Sequence, residues 1–310
     1  MKTFPLPGTG LTVPAVVAGM MRIQNKTDAE IRELFDAAVE SGITFFDHAD
    51  IYGSPTHACE RRFAEALRLT PSARAEVVLQ SKAGIVKDGP YFDFSYDHLI
   101  EAVEGSLTAL GTDYLDILLL HRPDALVEPE EVARAFDDLA AAGKVRHFGV
   151  SNHTPAQIEL LRRYVTRPLV ANQLQLSLTH APLVAQGLTM NMAGHEESAD
   201  RTIGTLDYCR LHDITVQAWS PMQAGVVPGS FLGHASYPEL NAVVDRLASD
   251  YGVPAEGIAT AWLTRHPARM QVVLGTTNPQ RLRAAAAGAD VALTRREWYE
   301  LYLAAGHRLP

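Results

Sequence analysis

Residues 43–53 read Ile-Thr-Phe-Phe-Asp-His-Ala-Asp-Ile-Tyr-Gly. An apolar run of strand length and β-rich type, 43–46, changes at Asp47 into a polar segment that carries Tyr52. If the run is a buried strand, the carboxylate and the phenol lie at the mouth of the sheet or barrel that contains it. A purely structural interpretation is also open, in which Asp47 caps a helix that begins near Thr56 and Tyr52 covers it. The rest of the chain bears on this choice, because the same change from apolar strand to polar residues recurs.

Eight apolar runs of strand length alternate with amphipathic segments along the chain. Such alternation indicates an α/β fold with a parallel sheet, and eight is the number of strands that closes a (β/α)8 barrel. A doubly wound sheet is the alternative, but no Gly-x-Gly-x-x-Gly follows an early strand. The predicted strands are Ala15–Met20, Ile43–Phe46, Val77–Ser81, Tyr114–Leu120, Val145–Val150, Leu169–Leu174, Ile214–Trp219 and Gln271–Leu274. The predicted helices are Asp28–Ser41, His57–Leu69, Tyr96–Leu110, Glu130–Ala142, Pro155–Tyr164, Thr202–His212, Glu239–Tyr251 and Pro279–Ala287.

Further elements are expected outside this alternation. Lys2–Thr12 reads as an N-terminal β-hairpin around a Pro-Gly-Thr-Gly turn. Two extra helices are predicted, Ala255–Arg265 before the last strand and Arg295–Ala305 after it. No low-complexity linker divides the chain, so residues 1–310 are predicted to form a single TIM-barrel domain.

Composition narrows the possible partners and the compartment. The net charge is −9 and no basic block exists, which argues against nucleic acid. The longest apolar stretches are too short to cross a bilayer, and the N-terminus, rich in proline and glycine, holds no signal-peptide core. The two cysteines, Cys59 and Cys209, lie far apart without metal-ligand spacing, as is usual in a reduced protein. We therefore expect a cytoplasmic protein that does not bind a membrane.

Ionisable groups follow three of the predicted strands. The second strand ends at Asp47, with Tyr52 just beyond it, the third at Lys82, and the fourth at His121. Either the lysine or the histidine alone could be a structural group. In a (β/α)8 barrel, however, the loops after the strands build the active site, so the four groups are expected to converge there.

This set of groups suits the reduction of a carbonyl. A phenol is a weak proton donor near neutral pH, and a neighbouring ammonium lowers its pKa. A carboxylate keeps the ammonium charged, and a neutral histidine can donate to a carbonyl oxygen. The set can therefore protonate an oxygen on which charge develops, while the electrons must come from a cofactor. A metal site or a serine hydrolase fits less well, because the chain has neither ligand spacing nor a Gly-x-Ser-x-Gly elbow.

The chain resembles the aldo-keto reductases from end to end. The motifs that carry the resemblance are Phe-Asp-His-Ala-Asp-Ile-Tyr-Gly at 46–53, Ser-Lys at 81–82, Leu-Leu-Leu-His-Arg-Pro at 118–123, Gly-Lys-Val-Arg-His-Phe-Gly-Val-Ser-Asn at 143–152, Asn-Gln at 172–173, Ala-Trp-Ser-Pro at 218–221 and Val-Leu-Gly-Thr-Thr-Asn-Pro-Gln-Arg-Leu at 273–282. The resemblance implies a (β/α)8 barrel and NADPH-dependent reduction of aldehydes and ketones. It implies that Tyr52 is the general acid, that Lys82 and Asp47 activate it, and that His121 aligns the carbonyl.

The resemblance also implies NADP(H) as cofactor, with no metal. Ser151, Asn152 and Gln173 would hold the nicotinamide carboxamide, and Trp219 would stack on the ring. The other implied contacts are Met20; Ser220, Pro221 and Met222 along the pyrophosphate; and Gly275, Thr276, Thr277 and Arg281 around the adenosine 2′-phosphate.

The substrate pocket is predicted from the loop 89–94 after the third strand. Its Tyr91 and Phe92 would form aromatic walls opposite Met21 and Trp219, although they could equally pack on a neighbouring helix. The long connection 181–202 is expected to be a lid, or equally a segment that is disordered or only packs on the rest of the protein.

Some positions depart from the family pattern. Gly275 stands where many long members have a lysine, His48 where many have a threonine, and the chain stops at Pro310 without a long tail. These features indicate a bacterial-type member with an open site. Two other functions stay open, an NAD(P)-linked aldose dehydrogenase and a cofactor-sensing regulatory subunit. The expected partner is a small carbonyl compound, and the sequence predicts neither its identity nor the oligomeric state.

Overall fold

The computed structural model describes residues 1–192, 198–199, 201–225 and 229–310. Its strands are, in chain order, β1 (Thr3–Pro5), β2 (Thr12–Pro14), β3 (Val16–Gly19), β4 (Phe45–Asp47), β5 (Val78–Ala83), β6 (Ile85–Val86), β7 (Tyr91–Phe92), β8 (Leu115–Leu120), β9 (Val145–Ser151), β10 (Leu169–Gln175), β11 (Thr215–Trp219) and β12 (Gln271–Leu274). Its helices are α1 (Asp28–Glu40), α2 (Ala58–Leu67), α3 (Pro71–Ala75), α4 (Tyr96–Leu110), α5 (Pro129–Ala141), α6 (Pro155–Arg162), α7 (Pro182–Leu188), α8 (Thr205–Leu211), α9 (Pro238–Tyr251), α10 (Ala255–Thr264), α11 (Pro279–Ala286) and α12 (Arg295–Ala304).

Eight of the strands close a parallel barrel in the order β10-β11-β12-β3-β4-β5-β8-β9. The prediction of a (β/α)8 barrel is thus confirmed. The strand β5 continues two residues beyond its predicted end at Ser81, so Lys82 lies inside the strand instead of following it. The charged Lys82 does not end β5, because the groups that pair with its ammonium lie within the barrel.

Two apolar clusters lie on either side of the barrel wall. In β8 the side chains alternate: Leu118 and Leu120 pack toward the helices, while Ile117 and Leu119 belong to the interior cluster. The N-terminal hairpin adds Leu6 to that interior cluster. The hairpin therefore contributes to the apolar packing inside the barrel.

The helix boundaries follow local capping signals. The first helix begins after Thr27, whose hydroxyl accepts from the backbone of Glu30 in a capping box, as the sequence predicts. The same box precedes α12 at Thr294 and Glu297. Both extra helices are present, as α10 and α12, each one residue shorter than predicted.

Several short elements were missed by the sequence analysis. These are α3, α7 and the two-residue strands β6 and β7, which pair antiparallel after the third barrel strand. The proposed lid segment 181–202 contains α7, but residues 193–197 and 200 lie outside the described residues. Among the described helices, none has the length and apolarity needed to cross a membrane.

Candidate active site

Lys82 is the centre of the site and is fully buried. Its ammonium donates to Asp47 Oδ2 at 2.7 Å, to the carbonyl oxygen of His48 at 2.7 Å and to the Tyr52 hydroxyl at 3.1 Å. The segment after β4 is held against β5 by two backbone bonds, from His48 N to Gln80 O (2.8 Å) and from Asp50 N to Lys82 O (3.0 Å). The main chain therefore fixes the position of Tyr52 relative to the lysine.

The pKa values of the two partners shift in the same direction for different reasons. Burial alone would lower the pKa of Lys82, but Asp47 and Tyr52 outweigh it and raise that pKa. Burial raises the pKa of the Tyr52 phenol above its ordinary value, although Lys82 opposes the shift. Lys82 therefore acts in the predicted direction, but desolvation of the phenolate is the larger effect, so the net shift of the Tyr52 pKa is upward.

His121 follows β8 and meets Tyr52 edge to face, with 5.9 Å between the ring centroids. Its backbone N–H donates to Ala83 O at 2.9 Å, which fixes it beside the end of β5. Burial, followed by the charges of Lys82 and Arg122, holds the pKa of His121 well below its usual range. Its Nδ1 is buried without a hydrogen-bond partner in the described part of the chain. A neutral imidazole with free nitrogens can donate to a substrate oxygen.

Gln173 is almost fully buried and its side-chain nitrogen is bonded within the barrel. Its Nε2 donates to Asp47 Oδ1 at 3.0 Å and to Gln217 Oε1 at 3.1 Å. Gln80 Nε2 donates to the same Asp47 oxygen at 2.6 Å. The Asp47 carboxylate thus accepts from two amides on one oxygen and from Lys82 on the other.

The ends of the next strands form a chain of hydrogen bonds. The Ser151 hydroxyl donates to Gln173 O at 3.0 Å, and Asn152 Nδ2 donates to Ser151 Oγ at 2.8 Å. Trp219 Nε1 in turn donates to Asn152 Oδ1 at 3.1 Å. Asn152 has φ 61°, a left-handed conformation that asparagine tolerates at such a turn. The structure therefore brings together four of the residues predicted to surround a nicotinamide.

The residues predicted near the pyrophosphate and the 2′-phosphate follow β11 and β12. Ser220 is left-handed, with φ 52°, and Pro221 is buried. Asn278 caps α11 by accepting from Arg281 N at 2.9 Å, and the Arg281 side chain is exposed. The remaining predicted residues here are half-buried: Met222, Gly275, Thr276 and Thr277.

Arg22 is a cation that the sequence analysis missed. Its Nη1 donates to Gly275 O at 2.7 Å, so a guanidinium stands beside the residue where the family pattern has a lysine. A β-carbon at Gly275 would lie 2.9 Å from this nitrogen. The loop position of Arg22 carries no periodic signal, and only the closure of the barrel brings it next to β12.

The predicted substrate-pocket residues lie near the surface, except Trp219. Met21, Tyr91 and Phe92 are exposed by 43%, 53% and 44%, so a large part of each residue faces solvent. The predicted cofactor contact Met20 is buried, and its N–H donates to Asp47 O at 2.9 Å.

Two more cations near the site were also missed. Lys87 Nζ donates to Ile51 O at 2.6 Å and to Gly53 O, on both sides of Tyr52. The Arg122 guanidinium lies 5.7 Å from the centre of the Trp219 ring. The long side chains of these residues reach the site from loops, so spacing in sequence does not reveal them.

A second polar cluster is buried between the barrel wall and the helices. Glu60 accepts from Ser81 Oγ at 2.5 Å and lies 2.6 Å from His57 Nδ1. Burial, with the nearby Glu60, raises the pKa of Asp50 to about 7. Burial lowers the pKa of His48 to about 4, and neither ring nitrogen has a partner among the described residues. In the described part of the chain, no three His, Cys, Asp or Glu side chains are grouped as a metal site.

Comparison with known proteins bears on the family and the fold of the chain. The sequence model of the Aldo/keto reductase family matches residues 15–302. Two proteins named 6-dehydroglucose reductase are similar: one from Agrobacterium fabrum is 35% identical over 94% of each chain, and one from Novosphingobium aromaticivorans is 33% identical over all of both. A thermostable aldo-keto reductase solved with the inhibitor epalrestat has the same fold, with a TM-score of 0.78 and 22% identity over 98% of this chain and 100% of the other. The barrel, the site and these matches together show that the chain belongs to the aldo/keto reductase family of oxidoreductases.

Proposed function

We propose that this protein reduces the carbonyl group of small molecules with NADPH, and that Tyr52 supplies the proton. The observation that carries the proposal is the position of the Lys82 ammonium, within hydrogen-bond distance of both Asp47 and the Tyr52 hydroxyl. This arrangement supports Tyr52 as the proton donor, because the ammonium would stabilise the phenolate that proton transfer leaves, at the end of the barrel where such folds carry out their chemistry.

Tyr52 suits the reductive direction because its raised pKa keeps the phenol protonated at neutral pH. When the phenol gives up its proton, the Lys82 ammonium stabilises the phenolate that remains. Neutral His121 donates a hydrogen bond to the substrate oxygen and so orients the carbonyl toward the phenol. A bound nicotinamide would supply the hydride.

The residues of the site fit a dinucleotide. Gln173 Oε1 has no donor among the described residues and can accept from a carboxamide, beside Ser151 and Asn152. Arg22 and Arg281 offer guanidinium groups near the end of β12, which suit phosphate oxygens. These cations support a preference for NADPH over NADH.

Sugar-derived aldehydes are the proposed substrate class. Two relatives that match over most of their length are named 6-dehydroglucose reductase. The exposed cation Arg122, next to His121, can also hydrogen-bond the hydroxyl groups of such a substrate.

The proposal is tested by Tyr52→Phe, with a panel of sugar-derived and aromatic aldehydes and either NADPH or NADH. Loss of the hydroxyl should lower kcat by at least about 100-fold, the scale of general acid catalysis, while NADPH binding changes little. Tyr164→Phe, which removes a half-buried phenol just beyond α6, is the matched control. Retention of most of the kcat in Tyr52→Phe would remove Tyr52 as the acid, and an inert wild type with every carbonyl would overturn the function.

A further inference from the structure

Four glutamines from four barrel strands form a continuous hydrogen-bonded layer beneath the candidate site. Gln80 in β5, Gln217 in β11 and Gln271 in β12 are fully buried, and Gln173 in β10 is almost so. We call the first three the glutamine chain. It begins at the backbone carbonyl of Pro14, to which Gln271 Nε2 donates at 2.9 Å.

Each amide in the layer is joined to the next by a donor and an acceptor. Gln217 Nε2 donates to Gln271 Oε1 at 2.9 Å and to Gln80 Oε1 at 3.0 Å. Gln217 Oε1 accepts from Gln80 Nε2 at 2.9 Å and from Gln173 Nε2 at 3.1 Å. Gln80 and Gln173 then both donate to Asp47 Oδ1, at 2.6 Å and 3.0 Å.

The two ends of this layer determine how every amide is turned. A backbone carbonyl and a carboxylate can only accept, whereas each glutamine has one donating and one accepting end. The Gln271 nitrogen must therefore face the Pro14 carbonyl. The nitrogens of Gln80 and Gln173 must likewise face the Asp47 carboxylate. Gln217 fits both ends, because its nitrogen donates to Gln271 and Gln80 while its oxygen accepts from Gln80 and Gln173. Turning any one amide over would set two oxygens or two nitrogens against each other in a buried place, which is costly.

This fixed arrangement determines which hydrogen bond Gln173 can offer to a ligand. Both hydrogens of its amide nitrogen are engaged, one by Asp47 and one by Gln217, so its oxygen alone is left to meet a ligand. The main chain of Gln173 lies at the end of the barrel next to Ser151 and Asn152, since its carbonyl accepts from the Ser151 hydroxyl and from Asn152 N. A partner at this place must bring a donor.

We propose that the glutamine chain fixes the orientation of the Gln173 amide, so that Gln173 meets the carboxamide of the proposed cofactor only as a hydrogen-bond acceptor. This inference rests on the proposed function, because it requires that Gln173 meets the nicotinamide. In this role Gln80, Gln217 and Gln271 are positioning residues, which act on the cofactor through Gln173. The same layer also donates to Asp47, so it links the cofactor position to the carboxylate that orients Lys82.

The test uses two ligands, NADP+ and its 3-acetylpyridine analogue, in which a methyl group replaces the carboxamide nitrogen. The analogue keeps the carbonyl oxygen but has no donor for Gln173. We expect wild-type protein to bind the analogue about tenfold more weakly than NADP+ in calorimetric titrations, a ratio that corresponds to about 1.4 kcal/mol. Equal affinities would overturn the proposal, whereas failure to bind either ligand would overturn the proposed function instead.

The role of the chain is tested by Gln217→Met, which removes one of the two acceptors that orient the Gln173 nitrogen. The affinity ratio should fall to about threefold, because the Gln173 amide can then turn at lower cost. Gln271→Met touches neither Gln173 nor Asp47 and should lower the ratio by a smaller factor. It also serves if the first variant does not fold. Gln157→Met, which replaces the half-buried capping glutamine of α6 outside the layer, should keep the wild-type ratio. If Gln217→Met and Gln271→Met fold and keep the wild-type affinity ratio between the two ligands, the layer is only structural.

Discussion

Lys82 holds a charge in a place that water does not reach, and the groups around it show how. A buried ammonium is costly unless a counter-charge and further acceptors surround it. Lys82 has Asp47 as counter-charge and two more oxygens, from His48 and Tyr52, within 3.1 Å. All three hydrogens of the ammonium are thereby satisfied. The site can present a permanent positive charge to the phenol without moving any side chain.

Replacement of Lys82 should be as damaging as loss of the Tyr52 hydroxyl. Lys82→Met removes the charge that stabilises the phenolate, so we expect kcat for carbonyl reduction to fall by about 100-fold or more. In wild type, the raised pKa of Tyr52 predicts that kcat stays constant through neutral pH and falls only at strongly alkaline pH, as the acid is lost. Lys144→Met is the control, because this surface lysine pairs with Glu104.

Steady-state rates with chemistry limiting would decide this point. A wild-type profile that is flat from mildly acidic to strongly alkaline pH would contradict the assignment of Tyr52 and Lys82 as a coupled acid. So would a Lys82→Met variant that keeps most of the wild-type kcat.

At the level of single residues, sequence reasoning identified the chemical groups but not their environment. Asp47, Tyr52, Lys82 and His121 could be found because each comes at or just beyond an apolar strand. The raised pKa of Tyr52 could not, because it depends on burial by parts of the chain distant in sequence. The same holds for Gln173, since the direction of a side chain inside a barrel follows from strand register.

At the level of elements, the prediction succeeded where an apolar run or a helical period was uninterrupted. The bounds of β12 and α4 agree with the prediction, because both are continuous apolar or periodic segments. Short elements such as α3 and the β6–β7 pair have too few residues for a period to be recognised. Their presence depends on contacts that only the closed barrel provides.

The start of α11 provides a prediction about cofactor preference. Arg281→Ala should weaken NADPH binding by about 1.5–3 kcal/mol, the scale of a hydrogen bond to a charged group, and leave NADH binding nearly unchanged. The preference should also shrink as salt is raised, because charges near the surface are screened. Titration of both cofactors by tryptophan quenching measures these differences.

The chain offers a matched control two residues further along α11. Arg283 forms a 2.8 Å salt bridge with Glu40 of α1, so its guanidinium is already engaged. Arg283→Ala should leave the binding of both cofactors almost unaltered. Equal losses for NADPH and NADH in Arg281→Ala would exclude Arg281 from the phosphate site and favour an NAD-linked dehydrogenase.

The whole molecule combines an apolar interior cluster with polar side chains that are also buried. The N-terminal hairpin packs with the interior cluster, and the glutamine layer with Asp47 and Lys82 also lies within the barrel. A further polar cluster lies outside the barrel wall, where Glu60 of α2 contacts Ser81 of β5. The barrel could be predicted because eight strand-like runs alternate with helical segments. The burial of Glu60 could not be predicted, because a charged residue in a helix is ordinarily on its surface.

The buried cluster outside the barrel wall predicts how stability depends on pH. Burial and the nearby Glu60 raise the pKa of Asp50 to about 7, while Ile51 N–H, His57 and Lys82 oppose the shift. An unfolded aspartate has a pKa of about 3.9, so folding favours the protonated form. The contribution of Asp50 to stability is therefore complete below about pH 4 and is lost as the pH rises toward 7. His48, with a pKa of about 4, is neutral over most of this range.

Asp50→Asn should remove this dependence while keeping an oxygen for the Ile51 N–H, which donates to Asp50 Oδ1 at 2.6 Å in the native protein. Between pH 5 and pH 7, we expect the free energy of unfolding of wild type to fall by about 2 kcal/mol relative to the variant, since each pH unit between the two pKa values is worth about 1.4 kcal/mol. Urea unfolding of both proteins at pH 5, 6, 7 and 8 measures the difference. If the two curves stay parallel over this range, Asp50 is already ionised in the folded protein, and the cations near it outweigh its burial.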